Sequence, residues 1–238
     1  MTYILGARCP DGVVIVADKR VTESNGEVRY ENKTFCNIEQ AVWASAGTRE
    51  DFGWFSHRIN EKAAESIPQH KLLPIVSDVI QEGRRMGLLQ DFELLFGIRF
   101  PAKRTSQLFF FNRDGGSREI SDYFVIGRGE PVGRLMLKKF YRSDLPTFKV
   151  AVLGIFIIRY IESEHLDDSV GIDGEKPTIW WLPDLPEPYM RDSDLPDGVY
   201  QAFRVRQEDS EIEPFMEPVD SMVTAWQKHI DSFFPKGL

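Results

Sequence analysis

The 238 residues, 42% of them hydrophobic, are enough for one large core or for a core with an appendage. The chain opens without the basic and apolar regions of a signal peptide. Its longest apolar run, Val150 to Ile158, is far short of the roughly 20 residues a membrane helix needs. A formal net charge of −8 excludes general nucleic-acid binding, which relies on Lys and Arg to neutralise phosphates. The two cysteines, Cys9 and Cys36, form no CxxC and indicate a reducing, cytoplasmic setting. Four scattered histidines without an HExxH point away from a metal centre, and no cofactor motif is present.

In chain order, Tyr3–Arg8 and Val13–Ala17 read as strands joined by the Cys9-Pro10-Asp11-Gly12 turn. Val21–Asn32 is polar and reads as a loop. Thr34–Ile38 and Ala41–Ala46 form a second hairpin through Glu39-Gln40. Thr48 is an N-cap with Asp51 at the third helical position, and Phe52, Phe55, Ile59 and Ala63 share one helical face. A second helix is predicted over Ile75–Met86, starting after Pro74. Strands follow at Glu93–Phe100, Gln107–Asn112, Arg118–Ile120 and Tyr123–Ile126.

Gly127-Arg128-Gly129 then leads into a helix over Pro131–Tyr141. The next helix, Thr147–Glu164, is apolar on most sides, so it is either buried between layers or covered by a partner subunit. Thr178–Leu182 reads as the last core strand. Blocks of strands alternating with pairs of helices indicate an α+β fold with antiparallel sheets.

Composition changes near Leu182. Residues 183–238 hold twelve of the 37 acids, five of the 29 bases and seven of the 14 prolines. The organisation expected is a domain over 1–182 and an acidic C-terminal extension over 183–238. That extension ends in a helix with Val219, Met222, Val223, Trp226, Ile230 and Phe233 on one face. Trp226 and Phe233 are its expected anchors, on its own core or on a neighbour's.

The start carries chemistry. Removal of Met1 would leave Thr2 as a free terminus at the edge of a sheet, and a threonine hydroxyl beside its own α-amine is a nucleophile with a built-in base. The opening "TYILGARCPDGVVIVADKRVT" with "KTFCNIEQAVWASAGT", continued by "FVIGRGEPVGRLMLKKFY" and "EHLDDSVGID", resembles the proteasome β-subunit branch of the N-terminal-nucleophile hydrolases. The start "MT" is similar to divergent bacterial and archaeal proteasome homologues, in which excision of Met1 alone is expected to expose the site.

The resemblance implies a four-layer α-β-β-α sandwich with its active site at the end of the sheets. It places Thr2 at the nucleophile, Asp18 at the family's aspartate, Lys33 at its catalytic lysine and Gly47 at the amide facing the oxyanion. Asp167 or Asp168, with Ser169, corresponds to the aspartate and serine near the terminal amine. Lys33 would lower the amine pKa by like-charge repulsion, and Asp18 would orient Lys33.

Arg128 stands where the family has a serine. It would bind a substrate carboxylate or an acidic tail, or equally remove a proton-shuttling hydroxyl. The activity implied is threonine-type hydrolysis of peptide or amide bonds in peptides or unfolded proteins. The chain would assemble into a ring or barrel, with itself or with related subunits, without metal, cofactor, nucleic acid or membrane. The alternatives are a non-catalytic structural subunit of the same fold, or an amidase or acyl transferase acting on a small molecule.

Overall fold

Nearly every position of the first two strands is apolar, which requires cover on both faces of their sheet. The computed structural model describes residues 2–22, 28–30, 34–35, 41–63, 69–100, 103–172, 177–184, 205–206, 218–219, 221–222 and 224–225. The elements are β1 (Ile4–Cys9), β2 (Gly12–Ala17), β3 (Arg20–Thr22), β4 (Val28–Tyr30), β5 (Thr34–Phe35), β6 (Ala41–Ala46), α1 (Arg49–Lys62) and α2 (Gln69–Arg85). They continue with β7 (Glu93–Phe100), β8 (Thr105–Phe111), β9 (Ser117–Ile120), β10 (Tyr123–Ile126), α3 (Glu130–Phe140), α4 (Thr147–Ser163), β11 (Thr178–Pro183) and β12 (Val205–Arg206).

Two five-stranded antiparallel sheets form, in the orders β10-β1-β2-β11-β12 and β5-β6-β7-β8-β9. Side-chain alternation then builds four layers. Leu5, Ala7, Val14, Val16 and Ile179 face α3 and α4, while Ile4, Val13, Ile15 and Leu182 face Val42, Ala44, Leu95 and Leu108 of the second sheet. The outer face of the second sheet, with Trp43, Phe96 and Phe111, packs on Phe55, Ile59, Val76 and Ile80 of α1 and α2. The result is the α-β-β-α sandwich of an α+β protein.

α4 resolves the choice its composition left open. Val150 to Ile158 and Ile161 are buried within the chain itself, against the first sheet and α3. Val219 from the C-terminal stretch joins that cluster fully buried, and Met222 packs on it. Residues 218–219, 221–222 and 224–225 are helical. Trp226 and Phe233, the expected anchors, lie outside the described residues.

Two local expectations are corrected. Within Val21–Asn32, β3 and β4 pair as a two-stranded ribbon, too short to display an alternating pattern. α2 begins at Gln69 and carries Pro74 inside it. Its buried stripe of Leu72, Val76, Val79 and Ile80 runs across the proline, and burial at about 1.5–3 kcal/mol per large side chain outweighs the lost hydrogen bond. Thr48 does cap α1, and Asp51 completes a capping box while also accepting from Leu89 N–H at 3.0 Å.

Asp184 ties the sheets together at the end of β11. Its carboxylate accepts from Ser106 N–H of β8 at 2.6 Å and pairs with Arg8 of β1 at 2.5 Å. Asp184→Ala should cost about 2–4 kcal/mol, because it strands the Ser106 amide and removes the one carboxylate that Arg8 meets among the described residues, leaving its guanidinium just the Cys9 and Gly12 carbonyls. Urea denaturation reads this directly, and a loss below about 0.5 kcal/mol would show that the junction contributes nothing beyond an ordinary surface pair.

Candidate active site

Thr2 stands two residues ahead of β1, a strand held between β10 and β2, so the chain start is pinned at the middle of a sheet. The Thr2 hydroxyl donates to Asp18 Oδ1 at 2.8 Å, and Tyr3 N–H donates to the same oxygen at 2.8 Å. The other oxygen, Oδ2, receives Gly171 N–H at 3.4 Å, and Asp18 N–H returns to the Tyr3 carbonyl at 3.1 Å. Asp18 is fully buried and Thr2 is 3% exposed. A buried carboxylate is tolerated only when several donors satisfy it, and the Thr2 hydroxyl, Tyr3 N–H and Gly171 N–H are among those that do.

Glycines form the other wall. A Cβ on Gly127, whose φ is +91°, would stand 2.2 Å from the Thr2 carbonyl oxygen. Gly129 N–H donates to that same oxygen at 3.3 Å. A Cβ on Gly129 would meet Tyr3 Cδ2 at 2.9 Å, and one on Gly133 would meet Tyr3 Cε2 at 2.4 Å. The segment Gly127-Arg128-Gly129-Glu130-Pro131-Val132-Gly133 is therefore a bare bed for Thr2 and Tyr3. Burial pushes the Tyr3 hydroxyl pKa upward, so that ring acts as a neutral wedge.

The loop after α4 closes the back. Ser169 donates its backbone N–H to Asp167 Oδ1 at 2.9 Å and its hydroxyl to the same oxygen. Ile172 N–H donates to Glu162 Oε1 at 2.9 Å, and Arg20 N–H to the Gly171 carbonyl at 3.2 Å. These contacts set Gly171 against Asp18. Of the two candidate aspartates, Asp167 is half-buried and engages Ser169, whereas Asp168 is exposed.

Gly47 directly follows β6 of the second sheet, just ahead of Thr48 and the N-terminus of α1, and is exposed. A Cβ there would lie 3.6 Å from Phe92 Cα. Arg128 is exposed on the glycine turn that holds Thr2. Lys33 lies outside the described residues. The structure thus joins Thr2, Asp18 and the 167–171 loop. Sequence reasoning missed the contributions of Gly133 and Gly171. The glycine spacing in "GRGEPVG" was the available signal for the first; nothing local marked the second.

Glu93, at the start of β7, pairs in register with Ala46. Burial, and next the neighbouring Glu130 carboxylate, hold its carboxyl above the usual range, against the opposing pull of Gly127 N–H, Arg113 and Arg134. Among the described residues, no group of three or more His, Cys, Asp or Glu side chains is placed to hold a metal ion.

Two measurements follow from this geometry. Gly127→Ala should cost about 2–4 kcal/mol, since a left-handed backbone penalty adds to overlap with Thr2. Gly87, also at positive φ but with open space around its Cβ position, should cost only about 1–2 kcal/mol when changed to Ala. Equal losses in urea denaturation would remove the Thr2 contact from the account. Separately, a carboxyl with raised folded pKa binds protons more readily folded than unfolded, so its ionised form opposes folding above that pKa. Glu93→Gln should therefore raise the Tm at neutral pH, with the gain shrinking as pH falls through the carboxyl range. A gain that grows on acidification would reverse the sign of this argument.

Comparison with known proteins agrees with this architecture. Residues 2–172 match the family described as Proteasome subunit. Among curated proteins, the proteasome subunit beta of Methanococcus aeolicus is 26% identical over 162 residues, 65% of this chain and 73% of that protein. The proteasome subunit alpha of Methanocaldococcus jannaschii is 27% identical over 151 residues, 60% of this chain and 58% of that one. Among solved structures, Anbu (ancestral beta-subunit) from Yersinia bercovieri superposes with a TM-score of 0.72 at 15% identity, covering 99% of this chain and 98% of its own. A Gly-1 mutant of Anbu from Hyphomicrobium sp. strain MC1 gives 0.71 at 19% identity, with 97% of each chain covered. With the family match spanning well over half its length, this chain belongs to the proteasome family.

Proposed function

We propose that this chain is a proteasome-like threonine hydrolase that cleaves peptide or amide bonds with Thr2 as nucleophile once Met1 is removed. The observation that carries the reading is the hydrogen bond from the Thr2 hydroxyl to the fully buried Asp18. With Met1 attached, the Thr2 nitrogen is an amide and accepts no proton. Excision turns it into an α-amine with an ordinary pKa of about 7.7–8.0, partly neutral at working pH.

In this reading the Thr2 hydroxyl passes its proton to the amine while Oγ1 bonds to the substrate carbonyl carbon. The resulting oxyanion is met by Gly47 N–H at the strand-to-helix junction. Collapse expels the leaving amine, which takes the proton, and water then hydrolyses the acyl ester on Thr2. Asp18 fixes the hydroxyl and the Thr2–Tyr3 peptide together. Lys33 lowers the amine pKa, and Asp167 with Ser169 supports the amine side. Arg128, exposed beside Thr2, binds an acidic group of the substrate.

Subunits of this family assemble into rings or barrels, and the proposal includes such assembly, in the cytoplasm. No helix among the described residues is long and apolar enough to cross a membrane. A structural subunit without catalysis is the second reading. The observation on its side is that the curated relatives include subunits named alpha as well as beta.

The experiment is hydrolysis of fluorogenic peptides by Met1-free protein. Thr2→Ala should abolish cleavage, and Asp18→Asn should lower kcat by about a hundredfold or more. Cleavage that survives in Thr2→Ala would take Thr2 out of its role. Absence of cleavage in the wild-type assembly, with intact rings, would favour the structural reading.

A further inference from the structure

Tyr3 follows Thr2 directly and is completely buried, yet its hydroxyl has no hydrogen-bond partner among the described residues. An unpaired hydroxyl in a core is costly, so shape rather than polar bonding holds this ring in place. The Thr2 hydroxyl meets Asp18, whereas the Tyr3 ring enters the cluster of Leu5, Ala7 and the α4 side chains. There it is keyed to α3. Gly129 at the N-cap and Gly133 stand one turn apart, joined by the Gly133 N–H to Gly129 carbonyl bond at 2.9 Å.

A Cβ on Gly129 would lie 2.9 Å from Tyr3 Cδ2 and 3.0 Å from Tyr3 Cβ, and one on Gly133 would lie 2.4 Å from Cε2 and 3.3 Å from the hydroxyl oxygen. The side chain therefore rests on bare backbone along its whole length, and no flexible group lies between ring and helix to absorb a shift. What this seating fixes is the peptide between Thr2 and Tyr3. Asp18 Oδ1 holds its N–H at 2.8 Å, and Gly129 N–H holds its carbonyl at 3.3 Å. Gly129 thus touches both the ring and the Thr2 carbonyl, so a displaced ring disturbs the residue that grips Thr2.

We propose that Tyr3 is a positioning residue whose ring, seated on Gly129 and Gly133, sets the Thr2–Tyr3 peptide and with it the Thr2 hydroxyl against Asp18. The inference rests on the hydrolase reading for its catalytic consequence, but the seating itself is measurable without turnover. Misplacement of an attacking hydroxyl lowers the chemical step more than substrate binding.

The test uses the full, Met1-free chain with Tyr3→Leu, Tyr3→Phe, Gly133→Ala and the Tyr3→Leu/Gly133→Ala pair. Tyr3→Leu and Gly133→Ala should each lower kcat by about tenfold with KM within about twofold. Tyr3→Phe, which keeps the ring and drops only the unpaired hydroxyl, should recover most of that loss. In the pair, the shorter leucine vacates the place the new methyl takes, so kcat should return to within about threefold of wild type instead of falling about a hundredfold. In parallel, hydrogen exchange at the Gly129 amide should speed up by about tenfold in Tyr3→Leu and in Gly133→Ala, and stay near wild type in Tyr3→Phe and in the pair. A Phe variant as impaired as the Leu variant, losses that simply multiply in the pair, or unchanged Gly129 exchange in both Tyr3→Leu and Gly133→Ala overturns the proposal. If the wild type hydrolyses nothing, the hydrolase reading fails on its own, and the exchange measurement still decides whether the ring seats Thr2.

Discussion

Everything at this site hangs from one buried carboxylate. Asp18 takes the Thr2 hydroxyl and the Tyr3 amide on one oxygen and the Gly171 amide on the other. Burying that charge is unfavourable, and only convergent donors make it tolerable. Donors come from Thr2 and Tyr3 and from the loop after α4, so satisfying Asp18 draws together segments more than 150 residues apart. The electrostatic need of one group thereby fixes the geometry of Thr2.

The fold supplies what the carboxylate needs. Chain termini usually fray, yet β1 lies between β10 and β2, and Thr2–Tyr3 are set into glycines that leave no room for a side chain. Thr2 stands just ahead of β1 on one sheet, and Gly47 just after β6 on the other. α1 begins beside Gly47 with a complete capping box, which keeps the Gly47 backbone and the positive helix end in a fixed relation. The same edge carries Glu93, a carboxyl held in an unfavourable protonation environment.

Much of this was legible in the sequence because it is written in local patterns. The turn at Pro10-Asp11, the Thr48 cap and the apolar run of α4 each declare themselves within a few residues, and the opening motif names Thr2 and Asp18. What was not legible depends on tertiary contact. Pro74 sits inside α2 because a stripe of buried side chains continues past it, which no local rule for proline predicts. The choice between Asp167 and Asp168 turns on which one Ser169 reaches. Glu93 looks like an ordinary strand-start acid until the register places it opposite Ala46 and burial raises its pKa. Lys33 was read from the motif alone and lies outside the described residues.

The central claim is that Thr2 carries both the attacking hydroxyl and the proton acceptor, the latter existing only as a free amine. Intact mass and N-terminal sequencing of protein isolated from its own cell test this most directly. The account predicts a chain lighter by one methionine, with Thr2 as its first residue. A mature protein that retains Met1 would contradict it.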